Sequence, residues 1–156
     1  LRRGLLEFGR TLSATTALDP LLNALTERLR QVLDVERVAV FVESESSESG
    51  FKTAKLVGIE TYQLPADFME ALRTKSSLKG ILRADQLESQ DAGDLTAAGL
   101  APQELHYFVP CTVRGRTVAV IGIGRASDGS LLTSEDLDIV QALAGYVAVA
   151  IRPRLR

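Results

Sequence analysis

The chain has no tryptophan, and it has one histidine, one cysteine and one methionine among 156 residues. A single histidine, His106, excludes a histidine-rich metal site, and no Ser-His-Asp or Cys-His grouping is spaced for nucleophilic catalysis. Lone Cys111 excludes an intramolecular disulfide and a multi-cysteine zinc site, and it suits a reducing compartment. Basic charge is in no surplus: the net charge of −2 provides no electrostatic footprint for nucleic acid. No apolar run reaches the ~20 residues that span a bilayer, and no signal peptide opens the chain, so membrane contact is not expected and a cytoplasmic setting is. Leu1 already stands in a helical pattern and Arg156 follows an apolar helix. The chain therefore reads as one domain, residues 1–156, excised from a longer protein.

What is present is ordinary for a globular domain, with 46% hydrophobic and 24% charged residues. The organising stretch is 105–125, where two apolar runs flank the connector Arg114-Gly115-Arg116 as in a β-hairpin. Its second run, Thr117 to Ile123, is apolar at nearly every position and so needs cover on both faces. Upstream, residues 4–17 have helical spacing at Leu5, Phe8 and Leu12. Asp19 and Pro20 suit the N-cap and first turn of a second helix reaching Leu33.

Val35 to Glu43 switches to a β pattern, apolar on both sides over Val38–Val42, which marks a central strand. Its return, Lys52 to Ile59, carries Lys52 and Lys55 and belongs nearer an edge. Pro65 to Thr74 predicts a short helix that buries Phe68, Met69 and Leu72. Residues 75–104 have weak periodicity, with Ile81-Leu82 as anchors, and read as a functional loop or lid. Thr133 to Asp136 forms a capping-box start for a last helix ending near Arg152. On it, Leu137, Val140, Ala144, Val147 and Ile151 share one heptad-spaced face. The order α-α-β-β-α-loop-β-β-α implies an antiparallel sheet with helices on one face, an α+β fold.

Four stretches in this order resemble the GAF domain, the ligand-binding and dimerising module of bacterial signalling proteins. They are Leu6 to Leu22, Val35 to Phe41, Val109 to Ile121, and Leu132 to Ala144. The resemblance implies a central antiparallel sheet of about six strands with the terminal helices on one face. Short helices and loops, here residues 60–104, would roof a pocket on the other face. Phe41, Phe68, His106, Phe108 and Gly122 are the candidate pocket residues. His106 and Phe108 are expected on the pocket side of their strand, with Tyr107, Val109 and Cys111 on the helix side.

The same resemblance frames the cofactor expectations. GAF domains that hold haem on a histidine make His106 a minor candidate ligand. Bilin-carrying members place their cysteine elsewhere, so Cys111 is read as a buried structural thiol. The cyclic-nucleotide signature Asn-Lys, Phe, Asp-Glu falls on Gly124-Arg125, Leu131 and Glu135-Asp136, without its asparagine or phenylalanine. No cofactor is expected. An ion pair between Arg125 and Asp136 is expected to tie the strand end to the helix start. Gly122-Ile123-Gly124 imitates a dinucleotide loop, but Ser127 stands where the third glycine belongs and no further parallel strand follows.

The reading is a non-catalytic sensory domain that binds a small ligand or partner and relays the change through its terminal helices. The output module expected in the same chain is a histidine kinase, and the expected assembly is a homodimer through those helices. The alternative is a structural dimerisation and relay module without ligand. An enzyme of this fold, such as a free methionine sulfoxide reductase, would need several cysteines.

Overall fold

The computed structural model describes residues 4, 7, 17–75, 80–84 and 104–155. Gly4 and Glu7 are helical, and the rest of the expected helix 4–17 lies outside the described residues up to Ala17. The first complete helix, α1, is Leu18–Leu33 and buries Leu21, Leu22, Leu25, Leu29 and Leu33. Fully burying a leucine stabilises by about 1.5–3 kcal/mol, so this stripe, rather than its cap, holds α1 in place. Indeed Asp19 is not the N-cap. Ala17 occupies that position without a side-chain bond, and Asp19 sits in the first turn, where its charge still suits the helix dipole. Asp34 ends the helix in the left-handed region, with φ of 56°.

Strand β1 is Val38–Glu43 and β2 is Phe51–Val57. Helix α2 is Phe68–Lys75, and the short β3 is Leu82–Arg83. The hairpin consists of β4, Tyr107–Val113, and β5, Arg116–Ile123. Its two central residues both have positive φ, 54° at Arg114 and 78° at Gly115. That is the type I′ geometry whose twist matches paired strands, and Gly115 adopts it without a Cβ penalty. Helix α3 is Ser134–Ile151, continued by a 3-10 turn over Arg152–Arg154.

All pairings are antiparallel, in the order β2-β1-β5-β4-β3. The strand assigned to an edge, β2, is at an edge, and β5 is central. Five strands are seen among the described residues where about six were expected. A lone bridge, Val35 to Ala126, extends the pairing beyond β1 and β5.

The sheet separates two apolar layers. On one face α1 and α3 pack over Val38, Val40, Val42, Tyr107, Val109, Cys111, Val118, Ile121 and Ile123. On the other, Ala39, Phe41, Phe108 and Val120 pack with Tyr62, Leu64, Phe68, Leu72, Leu82 and Leu105. This is the double cover that the continuous apolar run of β5 demands. Met69 departs from expectation: it is exposed, because helical spacing turns it away when Phe68 and Leu72 face the sheet.

Candidate functional site

The face opposite α1 and α3 carries four of the candidate pocket residues, Phe41, Phe68, Phe108 and Gly122. The period-2 alternation of strands sends Phe41 from β1, Gly122 and Val120 from β5, and Phe108 from β4 to this side. Cross-strand register lines up Ala39, Gly122, Phe108 and Leu82 in one row across four strands. Helix α2 adds Phe68 from above. Its ring meets Phe108 edge-on at 5.3 Å between centroids and Phe51 at 6.1 Å. Tyr62 closes the group, 6.1 Å from Phe41 and 6.3 Å from Phe108. Such tilted and T-shaped contacts are the favoured aromatic geometries.

The structure therefore brings Phe41, Phe68 and Phe108 together, and all three are almost fully buried. Phe68 meets Phe108 directly and Tyr62 links Phe108 to Phe41, so the rings form one packed group. Phe51, Tyr62, Leu64 and Leu105 are among the members that sequence reasoning missed. Tyr62 lies in Glu60–Pro65, where Tyr62 and Leu64 alternate with polar Thr61 and Gln63 over too few residues to mark an element. Its main-chain carbonyl accepts from Thr53 Oγ1 at 3.2 Å, which draws the segment over β2. Leu105 precedes β4 and lies over Gly122: a Cβ at Gly122 would stand 2.8 Å from Leu105 Cδ1 and 3.4 Å from Phe41 Cε2. Gly122 is thus a close-approach glycine, and the dinucleotide-loop resemblance has no place in this geometry.

His106 sits one residue before β4. Its backbone N–H donates to Ile123 O at 2.8 Å and its carbonyl accepts from Ala84 N–H at 2.8 Å. The imidazole packs edge-to-face against Tyr107, centroids 4.6 Å apart. Tyr107 itself points to the helix side, and its hydroxyl oxygen accepts from the backbone N–H of Leu132 at 3.3 Å. Neighbouring residues of β4 thus touch different things, Phe108 the ring cluster and Tyr107 the segment leading into α3. Cys111 is buried on the helix side, 3.9 Å from Val109 O, and burial pushes its thiol far above the ordinary range.

Two expected groupings are corrected. Asp136 is buried and does not serve as the strand-to-helix tie with Arg125. Its carboxylate accepts from Thr133 N–H at 3.3 Å while Thr133 Oγ1 accepts from Asp136 N–H at 3.0 Å, closing the capping box. Arg125 is exposed just after β5. An ion pair that does join distant segments is Arg116 to Glu43, at 2.8 Å between β5 and β1.

The proposed dimer face is also reassigned. Val140, Ala144, Val147 and Ile151 are buried against the sheet of their own chain and Leu137 packs at the margin of that core. They form the intramolecular face of α3, because an apolar heptad stripe satisfies a sheet as readily as a second helix. Among the described residues no group of His, Cys, Asp or Glu could hold a metal ion, and no helix is long and apolar enough to cross a membrane.

Comparison with known proteins places this architecture. The family model described as GAF domain matches residues 17–152. No curated protein matches the chain. Among solved structures, residues 122 to 287 of a methyl-accepting chemotaxis protein superpose with a TM-score of 0.65 at 16% identity. That match covers 94% of this chain and 95% of the other. The GAF domain of an Acinetobacter phosphoenolpyruvate-protein phosphotransferase gives 0.61 at 12% identity, covering 96% and 89%. The GAF domain of a two-component sensor histidine kinase from Bacillus halodurans gives 0.59 at 16%, covering 89% and 96%. At such identities the likeness is one of fold.

Proposed function

The chain belongs to the GAF domain family, and from that premise we propose that it is a non-catalytic sensory module of a larger cytoplasmic signalling protein. A small ligand, or contact with a partner, alters the packing of Tyr62, Leu64 and helix α2 on Phe41 and Phe108. The change passes through β4 to α3, which leads to the output module. The family's occurrence in two-component sensor histidine kinases among the structural neighbours supports a kinase as that output.

The observation that carries the reading is the opposite orientation of two adjacent residues. Phe108 packs against Phe68 of α2 at 5.3 Å, and Tyr107 accepts the Leu132 N–H at 3.3 Å, two residues before α3 begins. A shift of β4 caused on the roof side is therefore felt at the start of α3 through one residue. Such coupling needs two arrangements for which the ligand has different affinities, since equal affinity shifts nothing. Assembly as a homodimer through the terminal helices belongs to this reading.

A second reading, a relay and dimerisation module with no ligand, is favoured by the packing of rings on the roof side. Native mass spectrometry of freshly purified protein separates the two. A reproducible non-covalent adduct that disappears in Phe108→Ala supports sensing, and the bare chain mass in every preparation supports the relay.

A further inference from the structure

The ring group on the roof side is assembled from unequal parts. Phe41 and Phe108 stand on β1 and β4, which central β5 separates, and Phe68 is carried by α2. Tyr62 belongs to residues 59–64, which form neither helix nor strand. The chain enters that stretch through Gly58, whose φ of 77° turns it away from β2. Tyr62 is nevertheless buried, its ring 6.1 Å from Phe41 at 53° and 6.3 Å from Phe108 at 47°. Its carbonyl accepts from Thr53 Oγ1 of the edge strand at 3.2 Å. An irregular segment thus delivers a ring to the place where two strands present theirs.

The surroundings of that ring are apolar, with Ala39, Val120 and Leu105 in the same buried layer. Among the described residues the one buried carboxylate is Asp136, in the capping box of α3 on the other face. The one buried imidazole, His106, packs edge-on against Tyr107. No lysine or arginine is buried among the described residues. An ion entering this layer would lose its hydration without a partner. An uncharged ring would keep the tilted aromatic contacts that Tyr62 now makes.

We infer that Tyr62 is a built-in occupant of the ligand position, and that the ligand is a small uncharged aromatic molecule that displaces it. This rests on the sensing reading above and names its ligand class. The exchange is of like for like: the incoming ring meets Phe41 and Phe108, and residues 59–64 leave Thr53. Because the position is open only while Tyr62 is out, the intrinsic affinity is reduced by that fraction. Phe108 gains a new neighbour in the exchange, so occupancy is felt on β4 beside Tyr107.

The test uses the full chain and 4-methylphenol, the tyrosine side chain as a free molecule. Calorimetric titration is expected to show binding of 4-methylphenol and none of benzoate, the same ring with a carboxylate. Hydrogen exchange at residues 59–64 rises on binding. Tyr62→Ala removes the occupant and tightens binding by about tenfold or more. Thr53→Ala, an exposed change outside the position, tightens it by about fivefold, the scale of one hydrogen bond. Binding to Tyr62→Ala without binding to the native chain would be the filling of a truncation cavity and overturns the inference. Equal affinity in the native chain, Tyr62→Ala and Thr53→Ala puts the molecule elsewhere and also overturns it. Benzoate binding as tightly as 4-methylphenol overturns the ligand class. A native mass-spectrometric adduct without 4-methylphenol binding overturns this inference and leaves sensing standing. Binding that frees residues 59–64 but leaves exchange in α3 unchanged supports this site and removes the relay.

Discussion

Leu105 packs directly over Gly122, so closely that a single added methyl would come within 2.8 Å of Leu105 Cδ1. The pair fixes how the chain enters β4 and how tightly the roof side sits on the centre of the sheet.

Gly122→Ala is expected to destabilise the fold by about 1–3 kcal/mol, the usual cost of overpacking a filled interior. The measurement is urea unfolding of the single variant beside Gly122→Ala/Leu105→Ala. Because Leu105 is the crowded neighbour, the two costs should be markedly less than additive. Strict additivity would mean that the methyl is accommodated elsewhere.

Phe108→Ala removes the ring shared by Phe68 and Tyr62, both within 6.3 Å of it. The expected loss is about 3–5 kcal/mol, as for other large core truncations. Phe108→Leu keeps most of the volume and should cost less than half as much. Thermal unfolding monitored by circular dichroism reads both.

Thr133→Ala removes one half of the capping box that opens α3. About 1 kcal/mol of stability should be lost, and exchange of the first-turn amides of α3 should quicken. Asp136→Asn keeps an acceptor for the Thr133 N–H and should be milder. Equal effects from both variants would point to a further role for the Asp136 charge.

The burial of Cys111 makes a pH prediction. Its folded-state thiol is raised by desolvation above 9.0, the value for a solvated thiol, so the folded chain holds the proton more tightly than the unfolded one. The resulting contribution is fully present below pH 9 and falls as pH rises above that value. There the slope approaches about 1.4 kcal/mol per pH unit. The difference in unfolding free energy between the native chain and Cys111→Ala should shrink across that range. Thiol reagents at neutral pH should modify Cys111 only as fast as the protein opens.

The elements that were legible in the sequence are those with a strong period or a specific local chemistry. Val38–Val42 was apolar on both sides and is a buried strand. Arg114-Gly115-Arg116 is legible as a hairpin connector, and its first two residues form the turn while Arg116 begins β5. Thr133 and Asp136 announce the capping box, which the structure contains. The alternation of β4 placed Phe108 and Tyr107 on their correct faces.

What was not legible depends on contacts between distant segments. Tyr62 joins the rings because its carbonyl accepts from Thr53 of β2, a contact that the brief Tyr62/Leu64 alternation does not announce. The Tyr107 hydroxyl reaches Leu132 across twenty-five positions. On α3 the pattern identified an apolar stripe but not its partner, and the sheet took the stripe assigned to a dimer. Residues 85–103, the greater part of the expected lid, lie outside the described residues.

In the function proposed above, the roof side of the sheet is coupled to α3 through Tyr107. Hydrogen exchange read by mass spectrometry, in Phe108→Leu with and without Tyr107→Phe, tests it most directly. Phe108→Leu is expected to alter exchange at Leu132 and the first turns of α3 as well as on the roof side. Tyr107→Phe is expected to abolish the α3 part of that response while leaving the roof part. Exchange in α3 that ignores Phe108→Leu, or responds identically when the Tyr107 hydroxyl is gone, would contradict it.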